Sequence, residues 1–373
     1  MNRLITIAAC LAAVAAIIYY AFSTKSGFEK SKRHAAHDSS APPIGKNSPA
    51  HASVSPTPND SSLAQEKSPR PKTMADLFER AQSGEPWPEP TREEIETFLD
   101  TRDRSPQALL TAYSVTQDSA YLDKALEADP DNPQLHLAAA MRDFLNNEAD
   151  SPWIHRLLES DPDNPLPSWL AANSLLEHGD LEGALAELHS ATNKSKFNDY
   201  FIHRAQDAEE FFVQRGDPPA IAKAQGLFDA HMPHIQSLGN LRKQLDNQID
   251  QLLAAGQTDQ AQELALLGIE MGNRLSQGDG NKTLLAELVG LTYEKQFLEA
   301  FDPDQSYPQF SQPIPEMLED IERQSKEIQA LAKEAPDILM TLPVSEAAAY
   351  FDRMKLFGEK EAHRWLIERN QSQ

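Results

Sequence analysis

The sequence predicts an all-α protein, in which an array of antiparallel helix hairpins follows an N-terminal transmembrane helix and a disordered linker. The first observation is a repeat: Asp129–Pro133 recurs 32 positions later as Asp161–Pro165, with similar flanking residues. A period in the thirties is typical of stacked helix hairpins. The second is composition, because the helix formers Ala, Leu, Gln and Glu dominate and alternating Val/Ile/Thr runs are nearly absent.

The third observation is the apolar run Leu4–Phe22, in which 19 residues are apolar or small except Thr6. A helix of this length crosses roughly 30 Å of hydrocarbon. We therefore predict an uncleaved transmembrane anchor over 1–23. The alternative is a cleaved signal peptide, with Ala21–Ser23 as the cleavage site. Cys10, the only cysteine, lies within this run, so the rest of the chain has no disulfide and no cysteine metal site.

Two features of the sequence give conflicting predictions of the orientation in the membrane. Four basic residues follow the span: Lys25, Lys30, Lys32 and Arg33. By the positive-inside rule they favour a cytoplasmic body. A short anchor followed by the Ser/Pro/Ala-rich segment 24–72 is instead typical of an exported domain on a tether. We expect a single-pass protein of the inner (cytoplasmic) membrane with an extracytoplasmic body, and the side of the membrane stays open.

Segment 24–72 is predicted to be a disordered linker, because it has too few large apolar residues to offset the entropy of ordering. The domain from 73 to 373 inverts the charge balance, with 25 Lys/Arg against 53 Asp/Glu, a net charge of −28. Such an acidic body excludes nucleic acid as a partner.

Start signals place the first helices of 73–373. Thr91 with Glu94 forms a capping box, and Ser105 precedes a proline at the first helical position. In each repeat of the Asp-Pro-Asp-Asn-Pro motif the asparagine, Asn132 or Asn164, is expected to cap the helix that the second proline begins.

Later helices follow from apolar periodicity and turn glycines. We predict hairpins pairing 199–215 with 218–230 and 235–255 with 259–275, turning at Gly216 and Gly256. A helix over 281–300, a Pro- and aromatic-rich loop over 301–315, and helices over 316–334 and 344–369 complete the order.

Residues 105–275 resemble tetratricopeptide repeats. The residues that carry the resemblance best are Leu175, Gly179, Asp180, Ala184, Leu188 and Ala191, and the pattern recurs with Ile249, Leu252, Gly256 and Ala261. The pair 199–230 departs from it, because Glu209 stands where a small residue is expected. The whole order is similar to uncharacterised membrane-anchored bacterial proteins with divergent repeats, through Lys196–Tyr200, Leu288–Gly290 and Phe357–Glu359.

The resemblance implies that the first helix of each hairpin lines a concave groove. The groove positions carried over are Trp169, Asn173, Leu176, Glu177, Gln206, Asp207, Glu210, Asp246, Asn247, Asp250 and Leu253. Leu166 and Leu170 occupy the places where relatives that grip a peptide carboxylate have basic residues, which excludes an acidic tail as ligand. A basic or mixed-charge protein partner anchored on Trp169 is expected. Alternatively, Trp169 packs into the next repeat and the carboxylates are a solvated face.

We therefore expect a membrane-tethered protein–protein interaction scaffold without catalytic, cofactor or metal residues. The main alternative is an architectural, self-associating spacer, and the oligomeric state stays open. An enzyme is a weaker alternative. His231 and His234, with His203 nearby, lack a third ligand at metal spacing, and no nucleophile, phosphate-loop or zinc-protease motif is present, although a carboxylate pair could be hidden among the acids. Loop Phe301–Phe310 is either a docking loop or a tether pinned by its aromatics.

Overall fold

The computed structural model describes residues 70, 73–83, 89–148, 151–230, 232–277 and 282–372. The predicted anchor and almost all of the predicted linker lie outside these residues. Within them the chain forms helices joined by turns and loops, with no strand, so the prediction of an all-α fold is confirmed. None of the described helices is long and apolar enough to cross a membrane.

The helices follow one another with short connections. In chain order they are α1 (Met74–Ser83), α2 (Arg92–Thr101), α3 (Pro106–Thr116), α4 (Ser119–Ala128), α5 (Pro133–Leu145), α6 (Pro152–Ser160), α7 (Pro165–Glu177), α8 (Leu181–Thr192), α9 (Phe201–Gln214), α10 (Pro219–Asp229), α11 (Pro233–Ala254), α12 (Thr258–Gln277), α13 (Leu284–Leu298), α14 (Ile314–Thr341), α15 (Val344–Phe357) and α16 (Glu359–Gln371).

The predicted start signals act as expected. Thr91 Oγ1 accepts from the Glu94 amide at 3.2 Å and a Glu94 carboxylate oxygen accepts from the Thr91 amide at 2.8 Å, which completes the capping box. Asn132 and Asn164 accept from the amides two residues on, at 3.0 and 3.1 Å, and the following proline begins the helix. Amides left free at the first turn are thereby satisfied.

Neighbouring helices pack as antiparallel pairs, and after α8 the pairs no longer stack in chain order. α3 packs on α4, α5 on α6, α7 on α8, α9 on α10, and α11 on α12. The pair α9/α10 then lies beside α3 and α15, whereas α11 packs against α7 and α5. The chain therefore folds back on itself, and α7 meets α11 instead of a helix of the next hairpin, α9/α10.

The segment between α8 and α9 makes this change of direction. Asn164, which caps α7, donates to the carbonyl of Asn198 at 2.6 Å and accepts from its amide at 3.2 Å. Tyr200 adopts a left-handed conformation with φ 57° and donates its hydroxyl proton to Asp161. The second Asp-Pro-Asp-Asn-Pro turn is thus bonded to the segment that starts α9.

Asp199 adds a buried charge to this junction. It has no exposed surface, accepts from the Phe201 amide at 3.0 Å, and lies 3.2 Å from His234 Nε2 at the start of α11. Burial by itself raises the pKa of Asp199, but the adjacent His234, the Phe201 amide and Arg204 hold it below its usual value. Asp199 therefore links the start of α9 to the start of α11.

The pair α9/α10 packs closely despite Glu209. The small residue required at the crossing is Gly226 of α10, where a Cβ would overlap the Ala205 carbonyl and lie 2.8 Å from the Glu209 amide nitrogen. The Glu209 carboxylate turns aside and pairs with Lys223 at 2.8 Å and Lys355 at 2.6 Å. The doubt that the sequence raised about this pair is resolved by a glycine on the opposite helix.

The C-terminal helices differ from the prediction in two places. A helix ending at 334 is wrong, because α14 continues through Pro336 to Thr341 and buries Ile338 and Leu339 against α1. A single helix over 344–369 is also wrong. Gly358, with φ 92°, ends α15 and begins α16, a conformation that favours glycine.

Two helical glycines test the close packing of α9 and α10. We expect Gly226→Ala to lower the free energy of unfolding by about 1–3 kcal/mol, because its Cβ meets backbone atoms that must move apart. Gly239→Ala in α11 is the matched control. Its Cβ meets only the Tyr293 hydroxyl, at 3.7 Å, so helix propensity should make it neutral or stabilising by up to about 1 kcal/mol. Urea unfolding followed by circular dichroism measures both, and equal effects would refute the assignment.

Candidate partner-binding surface

Trp169 and Asn173 lie inside the protein. Trp169 is 2% exposed, its ring lies 5.6 Å from that of Phe197, and it belongs to the core that includes α11. Asn173 is 4% exposed, donates to Glu177 and accepts from Gln244 of α11, both at 3.0 Å. The face of α7 that the resemblance assigned to an open groove is covered by α11, as the alternative interpretation expected of Trp169.

The two candidate carboxylates of α9 face α2 and α3. Asp207 is half-buried and accepts from Gln107 of α3. Burial raises its pKa, Gln107 opposes that shift, and Glu210 adds to it. Glu210 pairs with Arg102 at 2.7 Å, while Gln206 of the same helix is exposed. These acids hold neighbouring helices together, and Arg102 already neutralises one of them.

The candidate carboxylates of α11 face α13. Asp246 pairs with Arg242 at 2.6 Å and accepts from Gln296 of α13. Burial raises the pKa of Asp246 to about 6, Arg242 lowers it, and Asp250 and Glu299 raise it further. Asp250 and Asn247 are exposed. The structure therefore brings Asp246 and Asp250 together with Glu299, which the sequence did not single out.

Glu177 and Asp250 belong to a larger set of carboxylates at one end of the protein. α7 lies beside α11, because Asn173 meets Gln244. α8 and α12 run in the same direction, because His189 lies 3.4 Å from Glu263 and, further along both helices, the Thr192 carbonyl accepts from Arg274 at 2.9 Å. The turns after α7 and after α11 consequently lie at the same end. The loop after α13 joins them, since Gln262 approaches the Tyr307 hydroxyl at 3.5 Å.

We call the exposed carboxylates of these three connections the acidic end. They are Glu177, Asp180, Glu182, Asp250, Asp259, Glu263, Glu299, Asp302 and Asp304. The stretches 177–193, 244–273 and 296–322 contain no Lys or Arg. Leu253, a large apolar side chain that is 38% exposed, lies on the last turn of α11 among them. This end therefore combines uncompensated negative charge with an apolar contact point.

Elsewhere the described cations are largely paired within the protein. Arg142 lies 2.8 Å from Asp123, Lys360 lies 2.6 Å from Glu287, and Arg369 lies 3.0 Å from Glu346. Such pairs reduce the charge that their helices present to a partner. The excess of acids is consequently most evident at the acidic end.

The signal for the acidic end was present in the sequence as three stretches without Lys or Arg. Their meeting depends on the packing of α7 against α11, which no local pattern indicates. The groove positions that the resemblance implies are all on the first helices of hairpins. Asp180, Asp259 and Glu299 lie in turns or at helix ends, so they were not among them.

The histidines and the aromatic loop take other roles. His234 is buried beside Asp199, His203 is exposed, and His231 lies outside the described residues. No group of three or more His, Cys, Asp or Glu side chains within the described ranges is arranged to hold a metal ion. In the loop Phe301–Phe310, Phe301 is buried and stacks edge-on against Tyr307 and Phe310 at 5.1 and 5.0 Å. Its aromatics thus pin the loop to the core.

The burial of Trp169 gives a direct test of its role. We expect Trp169→Ala to lower the free energy of unfolding by about 3–5 kcal/mol, because it leaves a cavity between α7 and α11. Trp153→Ala is the control, since Trp153 is only half-buried against His136, and it should cost less. Thermal unfolding of both variants measures the difference. A Trp169→Ala protein as stable as the wild type would place Trp169 outside the core.

Comparison with known proteins adds no further assignment. No family model, no curated protein and no solved structure matches the chain.

Proposed function

We propose that the protein is a membrane-tethered, non-enzymatic scaffold whose acidic end binds a basic or mixed-charge protein partner. The observation that supports this most is the convergence of three stretches without Lys or Arg on one surface. Like-signed charge concentrated on one surface attracts an oppositely charged partner and accelerates encounter.

The chemistry of the acidic end specifies the partner's surface. Exposed carboxylates contribute mainly to the rate of association and to specificity, whereas affinity needs desolvated apolar contact. Leu253 offers such a contact beside Asp250. The expected partner element is a helix or loop that presents Lys or Arg around one apolar side chain.

The finer details of the fold and location belong to this proposal. Kinship with tetratricopeptide repeats is supported by the antiparallel pairs α7/α8 and α11/α12, which turn at Gly179 and Gly256 with φ 78° and 75°. Anchoring is supported by the length and apolarity of Leu4–Phe22. We place the body outside the cytoplasmic membrane, on the linker 24–72.

Self-association is the second candidate, favoured by two adjacent apolar side chains at the end of α15. Leu356 is 70% exposed and Phe357 is 54% exposed. A spacer that pairs through these residues would show twice the monomer mass in light scattering, and Leu356→Ser would return it to the monomer mass. A monomer at all concentrations leaves the scaffold as the better proposal.

Site-specific crosslinking tests the scaffold. With a photoreactive residue at the exposed position 251 or 257, we expect one discrete protein adduct whose yield falls several-fold between 50 and 300 mM salt, because the attraction is electrostatic. The triple variant Asp250→Lys, Asp259→Lys, Glu299→Lys should abolish that adduct. The adducts are identified by mass spectrometry.

The matched control reverses three exposed acids elsewhere, Glu93 and Glu127 on helices and Asp131 in a turn, which changes the net charge equally. This control should retain the adduct. Equal loss in both variants would mean that net charge alone attracts the partner, and the absence of any discrete adduct at 251 and 257 would refute the acidic end as a binding surface.

Membrane topology has its own test. We expect alkaline phosphatase fused after Gln373 to be active, and a fluorescent protein that folds only in the cytoplasm to remain dark there, because we place the body outside. Fluorescence without phosphatase activity would show that Lys25, Lys30, Lys32 and Arg33 govern insertion. The partners would then be cytoplasmic.

A further inference from the structure

The crossing of α12 and α13 brings together two glycines, one from each helix. A Cβ on Gly290 would lie 2.5 Å from both the Gly272 carbonyl oxygen and the Ser276 amide nitrogen. A Cβ on Gly272 would lie 2.8 Å from the Gly290 carbonyl oxygen. The backbones of the two helices are therefore in direct contact, and there is no room at the crossing for a side chain at either glycine position.

One ionisable side chain occupies this crossing. Glu294 of α13 is 7% exposed, and its Cγ would lie 2.8 Å from a Cβ at Gly272. Its Oε1 accepts from the Ser276 hydroxyl at 2.6 Å. Among the ion pairs of the described residues, none includes Glu294. A neutral hydroxyl is thus its only side-chain partner in the described part of the chain.

The protonated and ionised forms of Glu294 differ strongly in this environment. A buried carboxylate without a cation loses its hydration and regains one hydrogen bond, whereas the neutral acid fits at little cost. Consistent with this, burial raises the pKa of Glu294 to about 7, and the Ser276 hydroxyl opposes the rise. Ionisation therefore weakens the crossing.

Other charged groups contact α13 either on a different face or about two turns away from Glu294. Asp246 and Arg242 reach Gln296 from α11, beside the buried Tyr293, and Asp250 and Glu299 act on Asp246. At the start of α13, Lys360 of α16 pairs with Glu287 at 2.6 Å. No Lys or Arg in the described contacts approaches Glu294 to stabilise its carboxylate.

We propose that the crossing of α12 and α13 is a proton-operated joint, closed while the Glu294 carboxyl is protonated and loosened when that carboxyl ionises. The loosened element is α13 with the loop that follows it, because Phe301, Tyr307 and Phe310 are held at the end of α13 and the start of α12. The joint needs no ligand, and its state depends on the pH of the compartment.

The direction of the pH dependence follows from the linkage between proton binding and closing of the joint. A carboxyl whose pKa is raised by folding stabilises the closed joint below its pKa in the open form, and that stabilisation is lost as pH rises through its pKa in the closed form. The pKa of Glu294 is about 7 in the closed form and about 4.5 in the open form. The equilibrium constant for closing should therefore fall about tenfold between pH 6 and pH 8.

Hydrogen exchange of the full chain in detergent tests the joint. Exchange is followed at pH 6, 7, 8 and 9, with labelling times scaled for the intrinsic amide rate. We expect protection factors in α13 to fall about tenfold from pH 6 to pH 8 in the wild type. Glu294→Gln mimics the protonated acid, so its protection factors in α13 should change less than twofold over the same pH range. Asp304→Asn, at an exposed acid of the following loop, should behave as the wild type.

A second variant separates titration from simple packing. Ser276→Ala removes the only hydroxyl donor to the ionised form and raises the pKa of the closed form further, so the fall in protection should extend to higher pH. The proposal is overturned if wild-type protection is independent of pH, if Glu294→Gln loses protection to the same extent, or if Glu294→Gln fails to fold. An unshifted fall in Ser276→Ala would equally exclude Glu294 as the titrating group.

Discussion

The structure depends on the polar junction that joins the second Asp-Pro-Asp-Asn-Pro turn to the start of α9. Asn164 caps α7 and at the same time bonds the backbone of Asn198. Asp199 is buried against His234, which belongs to α11. Leaving the buried Asp199 carboxylate without its partners would cost several kcal/mol as an order of magnitude. The junction thereby fixes the path of three helices, and the place beside α7 that the next hairpin would take in a linear stack belongs to α11.

The parts of the fold that a few adjacent residues determine were predictable from the sequence. Thr91, Asn132 and Asn164 cap helices because their side chains satisfy amides within three residues. Gly216 and Gly256 allow the left-handed turns of their hairpins. At Pro336 the local signal was misleading. The apolar residues beyond it are buried against α1, and that burial keeps α14 helical past a residue that normally ends a helix.

The parts that depend on distant contacts were not predictable. Glu209 looked incompatible with close packing because the compensating Gly226 lies on the opposite helix. Trp169 belongs to an apolar face of α7, and sequence cannot say whether such a face meets a partner protein or another helix of the same chain. The stretches of the acidic end that lack Lys and Arg are visible in the sequence, but they lie together only because α7 packs beside α11. Glu294 is one of 57 acids, and only the crossing of Gly272 with Gly290 sets it apart.

The position of α1 has a consequence for folding during translation. Met74 and Leu77 are buried where α1 packs on α10 and α14, in a core that also contains Ile338, Tyr350 and Leu366 from the last quarter of the chain. At roughly 5–20 residues per second, translation reaches those partners some ten to fifty seconds after α1 is made. During that interval the apolar face of α1 lacks most of its cover and is a target for chaperones. The helix that opens the described body is thus among the last to be enclosed, and synthesis that stops before α14 leaves it with α10 alone.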